Sequence, residues 1–144
     1  MKYRIIDNTI LLSLKKNEYI NSSIKGIFKD NNLKFGWISG IGAVHNIELG
    51  FYDLDSKQYL RKIIKEEHEL LSLTGNVTFV DDEYFVHNHI SIGNRNFQSF
   101  GGHLFEGQIS LTGEFKIDIL SEKVDRKFSN EIGLNLWCIY NEGY

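Results

Sequence analysis

Residues 84–107 read YFVHNHISIGNRNFQSFGGHLFEG, and the fold turns on how this stretch is read. Tyr84 to Gly93 and Phe97 to Leu104 are rich in β-branched and aromatic residues, and the Gly93-Asn94-Arg95-Asn96 cluster between them consists of turn formers. The two runs therefore predict a β-hairpin. On a strand, residues two apart face the same side, so His87 and His89 stand next to each other. The returning strand brings His103, fourteen residues after His89, toward the same place.

Working outward, the same signature recurs. Phe35 to Ser39, Val44 to Tyr52, Gln58 to Ile64, Glu69 to Val80, Gly107 to Ile119 and Leu134 to Tyr140 read as strands, separated by clusters such as Asp53-Leu54-Asp55. At the N-terminus, Met1 to Ile6 and Thr9 to Leu14 flank an Asp7-Asn8 turn. Between them and the remaining strands, Ile20, Ile24, Ile27 and Phe28 recur at helical spacing with Asn17 placed as an N-cap, which predicts an amphipathic helix over Glu18 to Asn31. One helix and many short strands give an α+β fold, a mainly antiparallel sheet or open barrel with the helix packed on it, in a single domain over 1–144. The Ser39-Gly40-Ile41-Gly42-Ala43 segment has too few glycines and no following helix for a dinucleotide fingerprint, so it predicts a turn joining two strands. Gly75 and the Gly101-Gly102 pair predict bulges or close backbone approach.

Composition narrows the function. The chain has 144 residues, is 42% hydrophobic and 24% charged, and carries a net charge of -3. These values describe a soluble globular protein and speak against a basic nucleic-acid-binding face. Charged residues interrupt the apolar N-terminus, so no membrane span or signal peptide is expected, and the cytoplasm is the expected location. Cys138, the one cysteine, rules out an internal disulfide and a cysteine-rich zinc ribbon. It lies in an apolar run, as a buried inert thiol does. With no proline there is no AT-hook, whose core requires one.

The chemistry that remains is imidazole chemistry. Three histidines and an open coordination position are the pattern of a catalytic zinc site, since structural sites usually close with four ligands. His87, His89 and His103 are the candidate ligands for zinc or another divalent transition metal. The alternative is a polar, hydrogen-bonded face of the sheet. Glu106, three residues after His103, is a candidate acid or base, with a solvated turn carboxylate as the alternative. His45 and His68 have no histidine neighbour in sequence and read as structural. No serine sits in a nucleophile-elbow setting.

Several motifs occur together in order: Ser39-Gly40-Ile41-Gly42-Ala43, Glu48-Leu49-Gly50-Phe51-Tyr52-Asp53, Leu71-Ser72-Leu73-Thr74-Gly75-Asn76, His87-Asn88-His89 and Gly101-Gly102-His103-Leu104-Phe105-Glu106-Gly107. In this order and spacing the chain resembles the plants-and-prokaryotes conserved (PPC) domain, from Ser39 to about Gly113, in its stand-alone prokaryotic branch. The resemblance implies an α+β fold, assembly as a homotrimer and a metal site at His87, His89 and His103. Plant members use separate AT-hooks for DNA and the PPC domain for assembly and partner contacts, and similar prokaryotic chains carry a DNA-binding label. The expectation is thus a homotrimeric binding or assembly module with a histidine-lined metal site and DNA as a further partner. A metal-dependent enzyme using the same three histidines is the alternative.

Overall fold

The computed structural model describes residues 1–139. Among these residues are nine strands and one helix: β1 (Lys2–Ile6), β2 (Thr9–Lys15), α1 (Ile20–Asp30), β3 (Phe35–Asp53), β4 (Gln58–Ile64), β5 (His68–Val80), β6 (Glu83–Gly93), β7 (Ser99–Leu120), β8 (Asp125–Ser129) and β9 (Leu134–Cys138). All belong to one sheet, ordered β1-β2-β7-β3-β5-β8-β9, with β4 on β3 and β6 joined to both β5 and β7. Every pairing is antiparallel except β5 with β8, so the sheet is mixed and the protein is mostly strand with a single helix. Tyr140, the last residue of the expected final strand, lies outside the described residues.

Burial explains why α1 forms. Eleven residues are too few for a helix to be stable alone in water. Ile20, Ile24, Ile27 and Phe28 are each fully buried against the sheet, and such burial contributes about 1.5–3 kcal/mol per side chain. Facing them are the inward residues of alternating strands, among them Ile10, Leu12 and Leu14 of β2 and Ile90 and Ile92 of β6. The helix starts two residues later than its periodicity suggests. Asn17 is in the left-handed region (φ 69°) and donates its N–H to the Ile109 carbonyl, so it belongs to the turn between β2 and α1. The N-cap position falls to Tyr19, whose side chain caps nothing.

Two expected strand breaks do not exist. β3 runs without interruption for nineteen residues through Ser39-Gly40-Ile41-Gly42-Ala43, where a turn was expected. The glycines there serve close packing: a Cβ on Gly40 would strike the Phe115 ring, and one on Gly42 the Thr112 carbonyl. Register shifts between Gly40 and Gly42, and again before Val44, bend the strand around its neighbours. In the same way the segments expected at Phe97 to Leu104 and Gly107 to Ile119 form the single strand β7. β8, in the polar run Asp125–Ser129, has no sequence signature of a strand.

Candidate metal centre

The β6–β7 hairpin forms as the sequence predicts. Asn94 Oδ1 accepts from the Asn96 and Gln98 N–H groups, and Phe97 N–H donates to the Asn94 carbonyl. The register sets His89 directly opposite His103. Alternation along β6 places His87 and His89 on one face and the fully buried Asn88 on the other, where its Nδ2 donates to Asn21 of α1. The ligand atoms of His87, His89 and His103 all lie within 4.8 Å of one another. His87 Nε2 and His89 Nε2 are 3.2 Å apart. Two nitrogens bound to one tetrahedral zinc, each about 2.0–2.1 Å from it, lie about 3.3 Å apart.

The environment keeps these rings neutral. Burial, reinforced by the charge of Arg126 and by the other two histidines, pushes His87 down to about 4. Burial also pushes His103 to about 4, with His89, Arg61 and Arg126 adding to the shift, and lowers His89. Neutral imidazoles keep lone pairs for a metal near pH 7. His103 is only 9% exposed and its Nδ1 is buried with no hydrogen-bond partner. A buried polar atom left unpaired is costly unless something else occupies it. Three convergent imidazoles with no cysteine beside them suit zinc or a similar divalent transition metal. The residues present therefore fit the metal that the sequence suggests.

Residues without a sequence signal complete the surroundings. Arg126, carried by β8, reaches across the histidine-bearing face of the sheet: its Nε donates to Thr78 Oγ1 (2.8 Å), its Nη1 to the Asn135 carbonyl, and its Nη2 to Asn76 Oδ1 (3.0 Å) and His87 Nδ1 (3.2 Å). As His87 Nδ1 accepts this bond, the ring proton sits on Nε2 and donates to His89. Binding a metal through Nε2 gives up that arrangement. Tyr59 packs its ring 5.0 Å from His103, and Arg61 lies 3.6 Å over the Phe105 ring, which itself packs on His103. Nothing local marks Arg126 in the sequence, because the parallel pairing of Val80 with Arg126 brings it in from 39 residues beyond His87.

Glu106 lies elsewhere. Its Oε1 accepts from Asn21 N–H (2.9 Å), and its Oε2 accepts from Ser22 N–H (3.0 Å) and Ser22 Oγ (2.7 Å). These are the N2 and N3 positions of α1, so a carboxylate from β7 caps a helix that has no acidic residue in its own first turn. It faces the helix layer, as Asn88 does. Of the other histidines, His68 meets Phe100 edge to face (5.5 Å) with Nδ1 against the Glu66 carbonyl, and His45 Nε2 is buried without a partner. Neither belongs to the three-histidine group, the one such cluster among the described residues.

Comparisons with known proteins bear on the family and the fold. A search of curated proteins finds no match. Among solved structures, a protein of Bacteroides thetaiotaomicron named a putative DNA-binding protein superposes with a TM-score of 0.91 at 28% identity, over 95% of this chain and 96% of that one. A plant- and prokaryote-conserved (PPC) protein of Pyrococcus horikoshii matches at 33% identity and TM-score 0.84, over 98% and 97%. A metal-containing protein of Archaeoglobus fulgidus matches at 31% and 0.84, over 95% and 96%. Residues 1–121 match the sequence profile of the Plants and Prokaryotes Conserved (PCC) domain, so the motifs, the fold and the likeness to solved structures converge, and the chain belongs to the PCC domain family.

Proposed function

We propose that this PCC-domain chain is a cytoplasmic homotrimeric binding and assembly module that holds zinc or another divalent transition metal at His87, His89 and His103. The convergence of these three side chains within 4.8 Å carries the reading. The metal-containing relative from Archaeoglobus fulgidus supports it. Assembly is supported by the open face of the sheet, where Leu11 and Ile41, at least half exposed, line an open groove of ≈ 980 Å³, and Leu71 and Leu111, 50% and 73% exposed, line a smaller one with Ile41. Apolar surface of this kind marks a contact between subunits. Among the described residues no helix is long and apolar enough to cross a membrane.

The test is elemental analysis of protein purified without chelator, joined to sedimentation velocity. One transition-metal ion per chain and a trimer at micromolar concentration are expected. No bound metal, with no rise in melting temperature on adding zinc, refutes the metal centre, and a monomer refutes the assembly. A metal-dependent enzyme is the second reading, favoured by the open coordination position that three protein ligands leave on a metal. With both oxygens of Glu106 engaged at the helix, its acid or base would be another group. DNA binding, which the name of the Bacteroides structure suggests, predicts salt-dependent retention of duplex DNA. The net charge of -3 argues against it.

A further inference from the structure

Arg126 ties a whole element to the histidine face. The β8–β9 hairpin meets β5 through a short parallel ladder, Phe79 with Asp125 and Val80 with Arg126. Tyr52 and Lys57 hold its turn at the Ile132 and Asn130 carbonyls. Between these two attachments the Arg126 side chain acts as a bolt. It holds the carbonyl of Asn135 on its own hairpin, Thr78 and Asn76 on β5, and His87 Nδ1 on β6 at 3.2 Å. A neutral imidazole has one lone pair, and here Arg126 has it. A metal on His87 Nε2 leaves the ring proton on Nδ1, so that N–H faces the guanidinium N–H; a metal on Nδ1 takes the lone pair itself. Whichever nitrogen binds, the Arg126 bond and a metal ion on His87 exclude each other.

We propose that the β8–β9 hairpin is a latch on the metal centre. Docked, it holds His87 through Arg126 and keeps metal affinity down; metal binding takes the imidazole from Arg126 and loosens the hairpin. This rests on the reading of His87, His89 and His103 as metal ligands. The coupling is reciprocal, so a contact that draws the hairpin off β5 raises metal affinity by the same factor by which metal favours undocking. A partner that lifts the hairpin therefore loads the centre, and one that presses it down empties it. A hydrogen bond from a charged donor sets the size of the coupling at about tenfold or more.

The experiment follows amide hydrogen exchange in the wild-type chain with and without zinc, at a concentration where sedimentation shows the same assembly in both. Chelator competition gives zinc affinity for wild type and for Arg126→Met, an unbranched apolar replacement. Zinc is expected to speed exchange about tenfold at Phe79, whose N–H donates to the Val124 carbonyl (3.0 Å), and along Asp125–Ser129. Arg126→Met is expected to bind zinc about tenfold more tightly than wild type and to show no further rise in exchange there when zinc is added. A residue with a merely structural role would, on removal, leave zinc affinity unchanged or lower it. Zinc that binds the wild type while exchange at these amides stays the same or slows overturns the latch and leaves the metal centre standing; this readout needs no variant, so it decides even where Arg126→Met does not fold. Equal or weaker zinc binding by folded Arg126→Met overturns the latch as well. Failure of zinc to bind either chain removes the metal centre and the latch with it.

Discussion

Replacing Glu106 separates its two readings. In Glu106→Ala, the N–H groups of Asn21 and Ser22 and the Ser22 hydroxyl lose their acceptor, and the positive end of α1 loses its charge partner. Water reaches the exposed Ser22 readily, but Asn21 is partly buried and its N–H stays poorly solvated. An N-cap is worth about 0.5–2 kcal/mol and an orphaned buried donor about 1–3 kcal/mol, so the expected loss is about 2–4 kcal/mol. Glu106→Gln keeps one acceptor oxygen and the side-chain shape but no charge, and is expected to lose about 1–2 kcal/mol. For a chain of this length that is a fall in melting temperature of about 2–8 °C. Urea denaturation at fixed protein concentration gives the free energies, and chelator competition on the same samples gives the zinc affinity, expected to match wild type. Unchanged stability in Glu106→Gln refutes the capping role. A zinc affinity that falls with stability intact places the carboxylate at the histidine centre instead.

Four further outcomes follow. His89→Ala, at the exposed member of the three-histidine group, should leave the metal-free stability within about 0.5 kcal/mol and weaken zinc binding by ~100-fold or more in competition assays. Because His87 and His103 are held at about 4 in the folded protein, against an ordinary value of 6.5, the unfolded chain takes up their protons first as pH falls. Metal-free stability measured by urea titration should therefore be full above about pH 6.5 and drop toward pH 4, by on the order of 1–2 kcal/mol after allowing for solvent screening. Gly75→Ala puts a methyl group against Asn88 and the His87 carbonyl and should cost about 2–4 kcal/mol by calorimetry. Phe97, 98% exposed with φ 60°, should gain about 0.5–1 kcal/mol on replacement by glycine, whose backbone accepts that angle freely.

The parts of this architecture that show in the sequence are those set by short-range periodicity. The apolar spacing of Ile20, Ile24, Ile27 and Phe28 locates α1, and the His87-Asn88-His89 alternation with the Gly93–Asn96 turn locates the histidine face. What stays hidden depends on distant pairing. Gly40 and Gly42 look like turn residues because their neighbours on β7 cannot be seen from β3. The cap of α1 comes from a residue 85 positions after Asn21, while the nearby Asn17, the right residue type for a cap, is taken by a left-handed turn. Arg126 reaches His87 through the parallel β5–β8 pairing, and a polar segment such as Asp125–Ser129 gives no periodic signal of it.

Asn88 gives the middle of β6 a double duty. Its flanking histidines address one layer, while its own amide clamps Asn21, which in turn donates to the Leu104 and Phe105 carbonyls beside His103. The two layers thus share one hinge pin of three consecutive residues. A shift of β6 by a fraction of an ångström at the histidines is felt at the first turn of α1, and loosening that turn is felt by the imidazoles. Zinc added to the protein should accordingly slow amide hydrogen exchange at Asn21 and Ser22, on the far side of the sheet from the three histidines.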